Sequence, residues 1–378
     1  MTVLQEKING KPIKTKDGRS WFFKTNYVDL EGNRKQFKSK KYELKSQALE
    51  AERAFLLSLS DKIEKIDVTF EELIIKFKNE QRGRIKISTL SNYNKYSKFF
   101  KGLYKVKLKD FNITHYNKWK YEIDKINIST GYKNCIYKFF KTILNFAIKY
   151  YNYNLSSMMN KMTNFNNPNE LKKEMLYWTH DEYKRFIKAE DDIRYKTFFE
   201  ILYYCGLRKG EANALNWKDV NFENKSLSIT KNITQKIKGE KYIILTPKTK
   251  SSNRVLPLPN KVLNSLIKLK SYYEKFNNFS ENWFIFGGIY PLPDSNIHKR
   301  KKDNCIKANK DLLPNEQIQE IRIHDFRHSC ASLLINKGAS IALVSKYLGH
   351  SNISTTLNTY THMFKNDLEK IVEELNKL

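Results

Sequence analysis

Acidic residues are scarce in this chain. Asp and Glu number 40 against 69 Lys and Arg in 378 residues, a formal net charge of +29. That deficit disfavours a cationic partner and points to a polyanion, because basic side chains that meet a phosphate backbone release its condensed counterions. A solvated Lys-rich surface from an AT-biased genome explains the same charge, so charge alone does not decide. Cysteine is also sparse: Cys135, Cys205, Cys305 and Cys330 lie far apart with no CxxC pair. This spacing speaks against a zinc ribbon or a disulfide framework and predicts reduced thiols. No apolar run approaches the roughly 18 residues of a membrane span, and none near the start has the layout of a signal peptide. The expectation is a cytoplasmic protein. Internal repeats and long low-complexity tracts are absent too. What is present is apolar content, 40% of residues, enough for two or three packed domains.

Patterning divides the chain into parts. Residues 1 to 62 read as a small β-sheet followed by a helix. Trp21, Phe22, Phe23 and Tyr27 suit one strand and Arg34 to Tyr42 a second, with Asp29, Gly32 and Asn33 as turn residues between them. From Ser46 the period becomes helical, with Ala48, Ala51, Phe55 and Leu59 on one face. Arg34, Lys35, Lys38, Lys40 and Lys41 decorate the second strand and its exit. Two readings stay open for them: lysines guarding an exposed sheet edge, or a strand pair laid into a DNA groove.

Residues 68 to 152 read as a helical block. Thr69 and Glu72 form a capping box ahead of an apolar stripe of Phe70, Leu73, Ile74 and Phe77. Further helices are predicted from Ser88 to about Phe100, Thr114 to about Ile123 and Ser129 to about Tyr150. The Asn-rich stretch 153 to 175 reads as a linker, with a short helix around Met158 to Met162 as the alternative. Residues 176 to 378 form the last domain, opened by a second capping box at Thr179 and Glu182. It is mainly helical. Leu227 and Ile229 alternate in a strand, and Tyr242–Leu245 with Val255–Leu258 are expected to pair around Pro247–Asn253. Gly338 and Gly349 stand where C-cap glycines do. Asn366 and Glu369 open a final helix with Leu368, Ile371, Val372 and Leu375 on one face. The expected fold is therefore multidomain and mainly α with small β elements.

Chemistry concentrates in the last domain, in short phrases: GLRKGE around Arg208, PKTKSSNR around Lys248, HDFRH from His324, LGHSN at His350 and TTLNTYTH around Tyr360. An arginine fork binds two phosphate oxygens at once, and a carboxylate such as Glu211, three residues on, can fix its plane. A lysine on a mobile hairpin can protonate a leaving oxygen. His324 and Arg327, three apart, share a helical face, and an imidazole suits proton transfer to or from a phenol. His324 and His328 have the spacing of a helical metal pair but lack an HExxH context, so His328 reads as packing or hydrogen bonding. A tyrosine alone is a poor nucleophile, its pKa being about 10, yet flanking cations stabilise both phenolate and a pentavalent phosphorus. Cations, proton-transfer groups and a phenol are the parts needed to cut a phosphodiester covalently without metal.

The order and wording of these phrases resemble the tyrosine recombinase family, the phage-integrase type of site-specific DNA recombinase, over essentially the whole C-terminal half. The resemblance implies Tyr360 as nucleophile, Arg208 and Arg327 as catalytic arginines, Glu211 as supporting acid, and His324 and His350 as further catalytic positions. It implies a β-hairpin lysine, Lys248, with Lys250 on the same tip as the rival. Lys35, Lys38, Lys40, Lys250 and Arg254 are DNA-contact candidates. The first segment is similar to an arm-binding domain and the helical block to a core-binding domain. The implied reaction passes through a 3′-phosphotyrosyl bond and a Holliday junction, on a homotetramer, with neither cofactor nor metal. Implied partners are double-stranded DNA at core and arm sites, and an excisionase or DNA-bending protein; the setting is the nucleoid of a bacterial host. The N-terminal extension favours an integrase of a temperate phage or conjugative element over a Xer-type resolvase. A type IB topoisomerase and a non-catalytic DNA-binding regulator are the competing classes.

Overall fold

The computed structural model describes all residues except 1–2, 6, 9–10, 13–14, 29–33, 63–66, 171–174, 236, 238, 246–252, 351, 361–374 and 377–378. The chain forms two compact units, Met1–Leu171 and Lys172–Leu378. The first begins with strands β1 (Val3–Gln5), β2 (Lys7–Ile8), β3 (Lys11–Pro12), β4 (Trp21–Val28) and β5 (Arg34–Lys38). β2 and β3 pair with each other, and β4 lies between β1 and β5, antiparallel to both. Helix α1 (Lys45–Lys62) covers this sheet, burying Ala48 against Val3 and Phe23 while Phe37 and Phe55 stack at 4.0 Å. The expected pair of strands is present. β1, too short to show a period, completes the sheet, and the expected turn residues Asp29, Gly32 and Asn33 lie outside the described residues.

The helical block comprises α2 (Phe70–Gln81), α3 (Ile87–Ser97) with a 3₁₀ turn over Lys98–Leu103, α4 (Ile113–Asp124), α5 (Thr130–Tyr151) and α6 (Ser156–Lys161). The Thr69 hydroxyl accepts from the Glu72 amide at 3.3 Å while the Glu72 carboxylate accepts from the Thr69 amide at 2.8 Å. The aromatic stripes are core: Phe100 stacks on Trp119 at 5.2 Å and Phe70 meets Phe140 edge-on at 5.2 Å. The stretch read as a linker is packed over its first half. Tyr153, Leu155, Met159, Met162 and Phe165 are buried in the bundle, and the short helix is formed as α6. Its asparagines misled composition because the apolar residues between them face inward, and Asn134 clasps the Phe165 backbone amide and carbonyl at 2.9 and 3.0 Å.

The second unit contains α7 (His180–Lys188), α8 (Ile193–Cys205), α9 (Lys209–Asn213), β6 (Val220–Asn221), β7 (Ser226–Ile229), β8 (Asn232–Thr234), β9 (Ile243–Leu245) and β10 (Arg254–Pro257). α10 (Asn260–Tyr273), α11 (Asp294–Ala308), α12 (Asp325–Asn336), α13 (Ile341–Leu348) and α14 (Ile353–Tyr360) follow. The Thr179–Glu182 capping box opens α7. The expected pairing of 242–245 with 255–258 is corrected: β9 pairs with β8, and β10 pairs with β7. β7 turns Leu227 and Ile229 into the core, and the register sets Leu256 opposite Leu227, burying both. Lys248, Lys250 and the expected final helix from Asn366 fall outside the described residues.

Candidate active site in the second unit

The site is organised by the turn after α8. Gly206 caps that helix in the left-handed region at φ +61°. A Cβ there would lie 2.5 Å from Leu348 Cδ2 and 3.1 Å from Cys330 Sγ, so the missing side chain lets α12 and α13 pack onto the turn. The Gly206 carbonyl accepts from Arg327 Nη1 at 2.8 Å. Two residues on, Arg208 heads α9 and donates from Nη1 to Glu211 Oε1 at 2.7 Å, while its amide donates to Oε2 at 3.1 Å. One short turn therefore positions both arginines singled out from sequence.

Glu211 serves two cations. Arg254, the first residue of β10, brings Nη2 to 3.2 Å from Glu211 Oε2; Glu211 is buried and the Arg254 side chain is only 9% exposed. Burial raises the Glu211 carboxyl, but Arg254 and Arg208 outweigh it and hold the group below its usual pKa, as an anion. Arg254 also packs against Gly349, where a Cβ would meet its side-chain atoms at 2.9 to 3.1 Å. Arg254, a DNA-contact candidate from sequence, sits inside the site and braces Glu211.

Arg327 is 2% exposed. Its Nη2 is buried without a hydrogen-bond partner among the described residues. Burial and then Arg208 push its guanidinium below its usual pKa. A buried cation with an idle donor beside a second, half-exposed cation is an arrangement that an anion would complete.

The histidines divide. His324 stands at the N-terminal boundary of α12, and burial, then Arg327, lowers its pKa. One turn on, His328 stands edge-on to His324 with ring centroids 5.3 Å apart. Its Nδ1 lies 2.7 Å from Tyr360 Oη. Burial, then His324, pushes His328 down to about 4. His350 follows the left-handed cap Gly349, pairs its Nδ1 with Thr356 Oγ1 at 2.7 Å, and is pushed down to about 4 by burial, then Arg327 and Arg208. Tyr360 ends α14 and is 1% exposed, among Cys330, Ala331, Ile335, Val344 and Leu348. Burial raises its phenol well above the usual value, with Arg327 acting in the opposite sense.

Arg208, Glu211, His324, Arg327, His350 and Tyr360 are thus drawn together around Arg327. Two features escaped sequence reasoning: Arg254 as the second cation on Glu211, and His328, not His324, against the Tyr360 hydroxyl. The spacing of His328 one turn from His324 was visible; what it touches depends on α14. In the first unit, Lys35 is exposed, Lys38 Nζ rests 4.6 Å over the Phe22 ring, and Lys40 Nζ lies 5.8 Å over Tyr42. Among the described residues no cluster of three His, Cys, Asp or Glu could hold a metal, and no helix is long and apolar enough to cross a membrane.

The second unit also has known relatives. The chain is 31% identical to the ICEBs1 integrase of Bacillus subtilis over 214 residues, 55% of this chain and 56% of that protein. It is 32% identical to a tyrosine recombinase of Thermosipho africanus over 235 residues, 60% of this chain and 72% of that protein. The match spans 56% of the length of the curated relatives from Bacillus subtilis and Caldanaerobacter subterraneus. Among solved structures, the Tn1549 transposon integrase in complex with transposon right end DNA superposes with a TM-score of 0.65 at 21% identity. That alignment covers 82% of this chain and 100% of the other. A lambda integrase dimer bound to a COC′ core site gives 0.56 at 18% identity, over 94% and 96%. These likenesses show a shared fold. Matched from residue 177 to 367, just over half its length and the part that carries every side chain of the site, the chain belongs to the phage integrase family.

Proposed function

We propose that the chain is a site-specific DNA recombinase, an integrase that inserts and excises a mobile element through a 3′-phosphotyrosyl intermediate. The observation that carries this reading is Arg327 Nη2, buried without a partner among the described residues, beside Arg208 and a tyrosine hydroxyl held by a histidine. A scissile phosphate satisfies that idle donor. Arg208 and Arg327 then neutralise its oxygens as negative charge builds in the pentavalent transition state, with His324 and His350 as further donors. Glu211 keeps the Arg208 fork in plane. Tyr360 attacks phosphorus, the 5′ oxygen departs protonated by Lys248 or Lys250, and the freed hydroxyl rejoins to the partner duplex. Bond energy stays in the phosphotyrosyl link, so the reaction proceeds without nucleotide hydrolysis or metal.

The layout supports a division of labour. Residues 1–62 serve as an arm-site reader, 68–152 as a helical core-site binder and 176–378 as the catalytic domain. Two weak DNA sites held by one chain gain effective concentration. The working species is a homotetramer on two duplexes, in the cytoplasm of a bacterial host at its nucleoid, assisted by an excisionase or a DNA-bending protein. The names of the relatives, an ICEBs1 integrase, a transposase from transposon Tn916 and a Tn1549 transposon integrase, support a mobile-element enzyme.

The test uses a nicked suicide duplex carrying the crossover site, obtained by sequencing DNA that flanks the gene. Wild-type protein is expected to become trapped on a 3′ phosphate even in EDTA, and Tyr360→Phe to bind the duplex but form no adduct. Adducts in the Phe variant or strict metal dependence would remove this reading. Relaxation of one supercoiled duplex without paired sites would favour a type IB topoisomerase, and binding without any cleavage a regulator.

A further inference from the structure

The phenol in this site is the group whose proton must leave, and only one titratable side chain is hydrogen-bonded to it among the described residues. We propose that His328 is a catalytic residue that takes the Tyr360 proton on Nδ1 as the hydroxyl attacks phosphorus, and returns it on religation. The inference rests on the recombinase reading above and adds a catalytic role for a side chain that the sequence assigned to packing or hydrogen bonding.

The geometry is specific. His328 Nδ1 and Tyr360 Oη are 2.7 Å apart, a full hydrogen bond between two buried groups. His324, the histidine expected to exchange a proton with the phenol, faces His328 edge-on, with ring centroids 5.3 Å apart. The charged and titratable groups around His328 are His324, Asp325, Arg322 and Arg327 along its own segment, with Tyr360 from α14 and His350 after α13. Burial and the cations among them favour the neutral ring, the form able to accept a proton. With Nε2 carrying the ring hydrogen, Nδ1 accepts from the phenol.

The step balances. The Tyr360 Oη–H bond breaks and its proton passes to Nδ1, leaving an imidazolium. The Oη lone pair forms the new bond to phosphorus, and the P–O5′ bond breaks with its electrons going to the 5′ oxygen, which takes a proton from the lysine. In religation the 5′ hydroxyl attacks and returns its proton to the lysine, the P–Oη bond breaks, and the phenolate recovers its proton from His328. The same pair of atoms serves both directions.

Two measurements decide it. On the nicked suicide duplex, His328→Asn, which keeps a polar partner but no base, is expected to slow adduct formation at least about 100-fold, with the duplex Kd within about threefold of wild type. His328→Ala is expected to be slow likewise and to regain at least about tenfold in rate when free imidazole is added to fill the vacated space. Adduct formation by the Asn variant within about threefold of wild type overturns the proposal. So does an Ala variant that stays folded and DNA-bound yet is not rescued, because His328 would then be packing only. The second measurement needs no DNA: in ¹⁵N-histidine-labelled protein, Tyr360→Phe is expected to move the His328 Nδ1 resonance, and an unmoved resonance overturns the pairing itself. Wild-type protein that forms no adduct at all would instead overturn the recombinase reading, a result told apart by a nitrogen shift that still responds to Tyr360.

Discussion

Cations in the two units are held in opposite ways. Lys38 and Lys40 of the first unit are exposed and lean over aromatic rings. Arg327 of the second is buried against a backbone carbonyl and Arg254 is largely covered against the Glu211 carboxylate, with Arg208 half-exposed at the same carboxylate. The first arrangement gives affinity that depends on salt and tolerates any sequence. The second has already met the cost of orienting its charge before an anion arrives, which is what stabilising a transition state requires. On the proposed recombinase reading, the two kinds of positive charge correspond to two tasks, holding a polyanion and reacting with one bond of it.

The comparison breaks most sharply at Arg327. Replacing it with Ala is expected to lower adduct formation by about 10³-fold while changing duplex affinity little, because it removes a preorganised donor that acts on one phosphate. Single-turnover cleavage beside a binding titration would check this; an affinity loss as large as the rate loss would make Arg327 another holding cation. Glu211→Gln comes next. It leaves Arg254 and Arg208 without their shared anion, and a loss on the order of 3 kcal/mol of second-unit stability is expected in denaturant unfolding. Unchanged stability would mean that Glu211 serves only the geometry of Arg208.

How much of this was legible in the sequence follows from how local each feature is. The capping boxes at Thr69 and Thr179 were readable because cap and partner lie three residues apart. So was the proximity of Arg208 and Glu211, which one helical turn enforces. Strand pairing around 242–258 was misread because β10 takes its partner from β7, about a hairpin's length back, and apolar alternation does not name a partner. The packed half of the Asn-rich stretch escaped for a related reason: burial of Leu155 or Phe165 is decided by α4 and α5, not by the asparagines beside them. The partners of Arg254 and His328 were not legible because each is defined by what it touches across the fold, Glu211 in one case and Tyr360 in the other.

Smaller effects sharpen the same contrast. His328 and His350 are held near a pKa of about 4 in the folded state, against about 6.5 for an unperturbed imidazole. Between those values the unfolded chain binds more protons than the folded one, so stability is full above about pH 6.5 and is lost as pH falls toward 4. The melting temperature is expected to drop between pH 7 and pH 5, and by less in a His328→Asn variant; equal slopes would show that other groups carry the dependence. Smallest is the joint change of Lys35, Lys38 and Lys40 to Ala. It is expected to flatten the dependence of log K on log salt by roughly one unit per lysine that meets a phosphate, and to leave core-site cleavage in place. A salt slope equal to that of wild type would return those lysines to the role of guarding a sheet edge.

The central claim is that one buried phenol, Tyr360, becomes covalently bound to DNA. The direct measurement is to trap the adduct on a nicked duplex, digest protein and DNA, and locate the modified residue by mass spectrometry. The account predicts a nucleotide 3′-phosphate on the peptide that contains Tyr360 and on no peptide carrying any other of the 23 tyrosines. A phosphonucleotide on a different residue, or a 5′ linkage, would contradict it.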